Sequence, residues 1–351
     1  MGSKRYNSIS RSIQLAQFRD PNQLKKSILS YILAFFTLFR IRLIRFGDEL
    51  FRRLRQNTWD IDEEEYKYSF LHQKGSKSLE PMGDLGYSGS TFFRTSNSKF
   101  LIKSLPRHFE HSFFRNDLFL PYYEYMSSHP ESLLVRITDF LMSPYPTLGS
   151  LLGISPSYHV IMENVLCGRT EDPAKDQWET YDLKPTDYFY PERDLLPQLT
   201  SEETMSKLVD TFEDKIRITR AQYEELKRTV SRDTAFLQSC NVVDYSLFLV
   251  RFPASSEPPV VGGRRSQWRV GVPSADGKWK YRAVLLDFFW AKHKLRAQAM
   301  TGMVQTFNVV GRKGPMTITT TAEEYQQKFM AMVDGLVQLQ GEVQPSSSTL
   351  I

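Results

Sequence analysis

Gly86-Tyr87-Ser88-Gly89-Ser90 stands directly ahead of two short β-patterned runs, Thr91-Phe92-Phe93-Arg94 and Lys99-Phe100-Leu101-Ile102, with Ser96-Asn97-Ser98 between them. The pattern predicts a β-hairpin that is entered through a glycine-rich loop and ends at Lys103. Glycines let a backbone approach a ligand closely, and the free N–H groups of such a loop can cradle phosphate oxygens. Alone, a loop of this kind is more often only a turn. The hairpin behind it changes the balance. Phe100, Leu101 and Ile102 predict a buried approach for Lys103, which brings an ammonium to phosphates held beneath the loop. The plain alternative is a strand-end lysine in solvent.

Three further polar motifs follow in order: Tyr181-Asp182-Leu183-Lys184, Val243-Asp244-Tyr245-Ser246-Leu247 and Leu285-Leu286-Asp287. Asp244 and Asp287 each lie against apolar runs, where a carboxylate is costly to bury unless it is paired or metal-bound. Either one alone reads as a structural acid satisfied by backbone amides. Two of them downstream of a phosphate loop and a lysine favour Mg²⁺ binding. A glycine-rich turn, a lysine and two such acids are the parts that hold a nucleotide triphosphate with its metal, and together they imply phosphoryl transfer.

From Phe288 to Ala322 there is no Asp or Glu. Lys292, Lys294, Arg296, Arg312 and Lys313 are interleaved there with Trp290, Leu295, Met300, Met303, Val304 and Phe307. Mixed basic and apolar content suits a segment that enters an anionic membrane surface and binds a phosphorylated headgroup. The bland reading is a positively charged surface loop. Its position directly after Asp287, where kinases carry an activation segment, favours the first.

The remaining sequence sets bounds. With 351 residues and 41% apolar content the chain can bury a sizeable core. A net charge of +5 permits an anionic partner without requiring one. Cys167 and Cys240 lack metal-ligand spacing and read as reduced thiols of an intracellular protein. The six histidines show no metal-ligand spacing either, no nucleophile–base motif is present, and nothing specific supports nucleic-acid binding. Ile28 to Phe39 is intensely apolar but too short to cross a bilayer comfortably. It reads either as a basic membrane-surface helix or as a buried one.

Organisation along the chain is expected as follows. Residues 1–22 form a loose tail, and 23–45 an apolar and basic helix whose pattern runs on to about Arg55. A helix starts at Glu63-Glu64-Glu65, another covers 109–128, and Tyr158 to Val165 is a buried strand. Helix fills 200–240, a loop or flexible hairpin 253–280, a strand 281–289 and a helix 323–340, before a tail at 341–351.

These motifs resemble those of the phosphatidylinositol phosphate kinases, in a divergent, fungal-like form, from about Phe46 to Val337. Gly86-Tyr87-Ser88-Gly89-Ser90 is similar to the family's G-x-S-G-[SA] loop, and Phe100-Leu101-Ile102-Lys103 to F-I-I-K. Leu120-Pro121-Tyr122-Tyr123 is similar to L-P-x-Y, and Val160-Ile161-Met162-Glu163-Asn164 to the hinge V-V-M-x-N. Val243-Asp244-Tyr245-Ser246-Leu247 is close to M-D-Y-S-L, the most specific of the set, and Leu285-Leu286-Asp287 to I-I-D.

The resemblance implies an α+β, two-lobed kinase-like fold with antiparallel sheets and flanking helices, of the kind shared with SAICAR synthase. Lobes at 46–166 and 167–340 are expected. It implies ATP and Mg²⁺, and transfer of the γ-phosphoryl group to an inositol-ring hydroxyl of a phosphatidylinositol monophosphate. The protein would be cytoplasmic and peripherally attached to an anionic membrane. Gly86, Ser88, Gly89, Ser90 and Lys103 would then hold the ATP phosphates, with Met162 and Asn164 along the adenine. Asp287 would hold the metal, and Asp244 the metal or the reacting phosphate. Lys184 and Asp182 would serve catalysis, and Glu110 is the acid offered as partner to Lys103. One departure stands out. The family's D-L-K-G-S is Asp182-Leu183-Lys184-Pro185-Thr186 here, which removes a backbone donor beside Lys184. That change, with the variable loop from Phe252 to Lys280, motivates a rival reading, a catalytically weak phosphoinositide-binding scaffold; a third reading is a kinase for a soluble inositol phosphate, against which the apolar residues of the basic segment argue.

Overall fold

The expected hairpin is the middle of a six-stranded antiparallel sheet. A computed structural model describes residues 2–19, 35–71, 79–84, 90–185, 211–263, 265–291 and 321–340. In chain order the part of the chain that carries this sheet contains α1 (Gly2–Gln17), β1 (Ile44–Phe46), α2 (Asp48–Arg53), α3 (Glu63–Tyr68), β2 (Leu79–Asp84), β3 (Thr91–Thr95) and β4 (Phe100–Ser104). It continues with α4 (His108–Phe113), α5 (Phe119–Ser128), β5 (Ile137–Met142), α6 (Leu148–Leu151) and β6 (Tyr158–Glu163). The strands are ordered β1-β5-β6-β4-β3-β2. The turn from β3 to β4 closes as the sequence predicts. Ser98 adopts φ 58°, the Ser98 N–H donates to the Thr95 carbonyl, and Asn97 Oδ1 accepts from the Lys99 N–H.

Strand alternation assigns the two faces of this sheet. Leu101 pairs with Met162 and Lys103 with Val160, so these four share one face. Ile102, Ile161, Ser104 and His159 share the other. That second face is covered by aromatic contacts from α1 and α3: Tyr6 meets Phe93 edge-on at 6.2 Å, and Tyr66 meets Phe100 at 4.9 Å. Asp62 caps α3 by accepting the Glu65 N–H at 2.7 Å, with three glutamates in the first turn, as the acidic run suggests.

Two expectations for the first 55 residues are corrected. The loose tail is instead the helix α1, because Ile9, Ile13 and Ala16 form a stripe at helical spacing that is buried against the sheet. The helix expected over 23–45 does not continue to its end. Residues 44–46 are the edge strand β1, paired to Phe140–Met142, and Gly47 at φ 65° turns the chain into α2. Residues 20–34, which hold most of the apolar run, lie outside the described residues, as do 341–351.

The rest of the chain carries β7 (Glu179–Leu183), β8 (Ile216–Ile218), α7 (Arg220–Ser239), β9 (Val242–Val243) and β10 (Ser246–Pro253). After these come α8 (Gln267–Val270), β11 (Val272–Pro273), β12 (Trp279–Leu286), β13 (Trp290–Ala291), α9 (Ala322–Leu336) and β14 (Val337–Leu339). Its main sheet is antiparallel, ordered β11-β12-β10-β7. Of the helix predicted over 200–240, residues 200–210 lie outside the described residues, 211–219 are not helical, and a Thr219–Gln222 capping box starts the helix at Arg220. The segment just before it pairs in parallel with β14. The predicted loop at 253–280 contains the short helix α8, whose Arg269 is buried and donates to the Ser132 and Leu134 carbonyls. Asp233 of α7 accepts from the Tyr125 hydroxyl and the Leu133 N–H, which pins α5 and the loop after it to α7. The mixed helices and antiparallel sheets agree with an α+β kinase-like architecture.

Candidate active site

The site is built at one end of the β7–β10–β12 sheet. Leu183 pairs with Leu247 and Ser246 with Leu286, so the residues just past these pairs emerge side by side. They are Lys184, Asp244 and Asp287. Beyond Asp244 and Asp287 the two chains pair again, Val243 with Trp290. Both aspartates therefore sit in the short break between two ladders. Both also have left-handed backbone, φ 65° at Asp244 and φ 60° at Asp287. Such a conformation costs a non-glycine residue about 1–3 kcal/mol and persists only where the surroundings impose it.

Lys184 Nζ donates to Asp244 Oδ1 at 2.7 Å. Lys103, arriving from β4 of the other sheet, is buried and pairs with Asp287 Oδ1. Two lysines and two aspartates from four strands thus meet in one cleft. The Asp244 side chain is largely enclosed, whereas that of Asp287 keeps 45% of its surface open. Burial pushes the Asp287 carboxyl up, but Lys103, Lys184 and Arg107 outweigh it and hold the group below the ordinary carboxylate value. Burial pulls the Lys184 ammonium down, and Asp244, Asp182 and Asp287 more than restore it, so Lys184 is firmly protonated.

Several sequence expectations land in this cleft and others do not. Phe92 pairs with Lys103, which puts Ser90, the residue just before β3, at the same end of the sheet. Gly86, Ser88 and Gly89 lie outside the described residues, and so do Lys292, Lys294, Arg296, Arg312 and Lys313. Met162 is on the sheet face of Lys103 and is buried. Asn164 is engaged in the hinge turn itself: its Nδ2 donates to the Ser98 carbonyl at 2.6 Å, and its Oδ1 accepts the Leu166 N–H. Asp182 is exposed on β7, opposite Phe248, and its charge acts on Lys184. Lys184 reaches Asp244 with Pro185 next to it in the chain. A residue before proline is held extended, which suits the end of β7.

The partner of Lys103 is Asp287 rather than Glu110. Glu110 of α4 is buried beside them. Burial raises its carboxyl pKa, and Lys103 and Arg107 offset that only in part. Sequence reading missed Tyr325 of α9. Its hydroxyl donates to the carbonyl of Tyr245, and its ring meets that of Tyr245 edge-on at 4.7 Å. No local signal in the α9 sequence marks this residue.

Two carboxylates supply the hard oxygen ligands that a divalent cation such as Mg²⁺ takes, and this donor set fits. Among the described residues no three His, Cys, Asp or Glu side chains gather closely enough to cage a metal by themselves. A cation bound there would share its coordination with ligand oxygens, as Mg²⁺ at nucleotide sites does.

The family model described as Phosphatidylinositol-4-phosphate 5-Kinase matches residues 73–266, more than half of the chain. The protein belongs to this kinase family. A probable phosphatidylinositol phosphate kinase of Dictyostelium discoideum is 27% identical over 215 residues, covering 60% of this chain and 28% of the relative. Phosphatidylinositol 4-phosphate 5-kinase 1 of Arabidopsis thaliana is 25% identical over 202 residues, 57% of this chain and 24% of that one. Phosphatidylinositol 4-phosphate 5-kinase type-1 beta of Mus musculus is 28% identical over 208 residues, with 57% and 34% covered. The chain thus spans about a quarter to a third of the curated relatives it matches. The matched stretch of this family member includes Lys103, Lys184 and Asp244 and stops before Asp287. For Asp287 the pairing with Lys103 supplies the link to the site.

Proposed function

We propose that this family member is an ATP- and Mg²⁺-dependent lipid kinase that transfers the γ-phosphoryl group to an inositol-ring hydroxyl of a phosphatidylinositol monophosphate at a membrane surface. The observation that carries the reading is the convergence of Lys103, Lys184, Asp244 and Asp287 in one cleft between the two sheets. Phosphoryl transfer depends mainly on positioning and charge stabilisation, and this cleft offers both signs of charge at fixed positions. Lys103 and Ser90, with Gly86, Ser88 and Gly89, bind the nucleotide phosphates. Asp287 and Asp244 hold the cation, which when bound neutralises charge on the phosphate oxygens. Asp244 also orients the accepting hydroxyl, and Lys184 stabilises charge on the transferring group while Asp182 keeps it protonated. The role proposed for the basic residues Lys292, Lys294, Arg296, Arg312 and Lys313 is to bind the headgroup and the anionic membrane. Occupancy requires Lys103 to exchange Asp287 for phosphate, so nucleotide and cation enter together.

The Lys184-Pro185 change supports a second reading, a phosphoinositide-binding scaffold with weak catalysis. One experiment separates the two. Radiolabel transfer from ATP–Mg²⁺ is measured on vesicles carrying each phosphatidylinositol monophosphate in turn, with Asp287→Asn alongside. Label in a lipid product that falls at least about a hundredfold in the variant supports the kinase. Nucleotide binding without transfer to any of the lipids establishes the scaffold instead.

A further inference from the structure

Large apolar side chains that remain exposed are scattered over most of the described surface, but five gather on two touching loops: Phe36, Leu38, Tyr145, Leu151 and Leu152. The first two belong to the segment before β1, the others to the β5–β6 connection that contains α6. The loops are locked together. The Gly149 N–H donates to the Thr37 carbonyl, Ser155 Oγ donates to the Leu38 carbonyl, and a Cβ on Gly149 would fall 1.8 Å from that same carbonyl oxygen. A Thr147–Ser150 capping box holds α6 in shape beneath its leucines. Leu151 and Leu152 are 65% and 60% exposed, and Phe36 is 64% exposed, at the tip of a rigid knuckle.

The segments joined to this knuckle are basic. Residues 2–19, 35–44 and 143–158 contain no Asp or Glu, while they carry Lys4, Arg5, Arg11, Arg19, Arg40 and Arg42; Arg45, next along, is paired with Asp48. These three segments are joined to one another. Arg5 Nε donates to the Ile154 carbonyl, Arg19 Nη1 to the Leu43 carbonyl, and the Ile41 N–H to Ser12 Oγ. Clustered apolar tips flanked by basic segments are what an anionic lipid interface takes: the side chains enter the acyl boundary and the cations stay among the headgroups. A protein partner would need a matching acidic and apolar face, for which nothing here argues. The knuckle also lies at the right end of the sheet. Lys103 pairs with Val160, and only His159 and Tyr158 separate that level from the β5–β6 connection.

We infer that the knuckle formed by residues 36–38 and 145–152 is a lipid-docking surface that inserts into anionic membranes and sets the active-site cleft against the bilayer. This inference rests on the lipid-kinase reading for its purpose, but not for its test. Flotation of the full chain is measured with phosphatidylcholine vesicles that carry phosphatidylserine and with pure phosphatidylcholine vesicles, for the wild type and for the double variant Leu151→Ser, Leu152→Ser. Two exposed leucines are lost, so partition onto the anionic vesicles should fall about a hundredfold, roughly tenfold for each side chain. The thermal midpoint and turnover of a short-chain, soluble phosphoinositide should not change. In the wild type, the amides of 149–153 should exchange more slowly when the anionic vesicles are added, which decides the matter even if the variant folds poorly. Unchanged flotation, or no protection at these amides, overturns the inference. So does a wild type that self-associates in solution where the variant is monomeric, since the patch then serves a second copy of the chain. Failure of the kinase reading appears separately, as absence of turnover on any phosphoinositide with vesicle binding intact.

Discussion

Replacing Tyr325 with Phe removes one oxygen and tests whether α9 holds the catalytic turn in place. Tyr325 and Tyr245 are both 0% exposed, and the Tyr325 hydroxyl donates to the Tyr245 carbonyl. The Phe variant keeps the edge-on contact with the Tyr245 ring and the packing against Phe329. The hydrogen bond to the Tyr245 carbonyl is lost. Depriving a buried carbonyl of its donor costs about 1–3 kcal/mol, so the thermal midpoint should fall by a few degrees, at about 2–4 °C per kcal/mol for a domain of this order. The larger effect is expected on chemistry. Tyr245 follows Asp244, whose φ of 65° is an unfavourable state that its neighbours must impose. A loosened Tyr245 peptide lets Asp244 relax towards negative φ and swings its carboxylate off Lys184. A loss of about 1.4 kcal/mol of transition-state stabilisation lowers turnover tenfold. Steady-state transfer to the lipid substrate should therefore show kcat down about tenfold, with a smaller rise in KM for ATP, because Lys103 and Asp287 lie on other strands and still hold the nucleotide and its cation. A lowered midpoint with normal kcat would refute the reasoning. The hydroxyl would then be a structural anchor, and the backbone of Asp244 would be fixed from elsewhere.

Two further outcomes follow from buried titratable groups. His159 is fully buried, neither ring nitrogen finds a hydrogen-bond partner among the described residues, and burial pulls its pKa down to about 3. Its folded pKa lies below the ordinary value of about 6.5, so the unfolded chain takes up a proton first, and stability present above about pH 6.5 is lost as pH falls towards 3. His159→Leu should flatten that acid limb in melts recorded across the window; an unchanged limb would show that His159 finds water or a partner. For Glu110 the sign is opposite. Burial raises its carboxyl, with Lys103 and Arg107 offsetting only part, so stability is highest below the ordinary carboxylate pKa and declines as pH rises through the raised folded value. Glu110→Gln should raise the thermal midpoint at neutral pH and leave it alone in acid, and a lower midpoint at neutral pH would mean that the ionised group is paired.

What could be read along the chain was local or belonged to a compact motif. The β3–β4 hairpin follows from alternation and from Ser96-Asn97-Ser98, whose residue types suit the turn geometry that Ser98 adopts. The α3 start follows from an Asp cap and three glutamates. Neither depends on anything distant. Helix α1 escaped because its buried face is only Ile9, Ile13 and Ala16 in a serine-rich segment, so its helical state comes from the sheet beneath it and not from its own propensity. The choice of Asp287 over Glu110 as partner to Lys103 is of the same kind. Both acids are close to Lys103, and burial of Glu110 on the α4 side favours its protonated form, whereas Asp287 emerges from β12 on an open side and gains Lys184 as a second cation. Sequence order lists the acids that a site can use. The competition between desolvation and pairing, which only the packed strands define, decides which of them carries the charge.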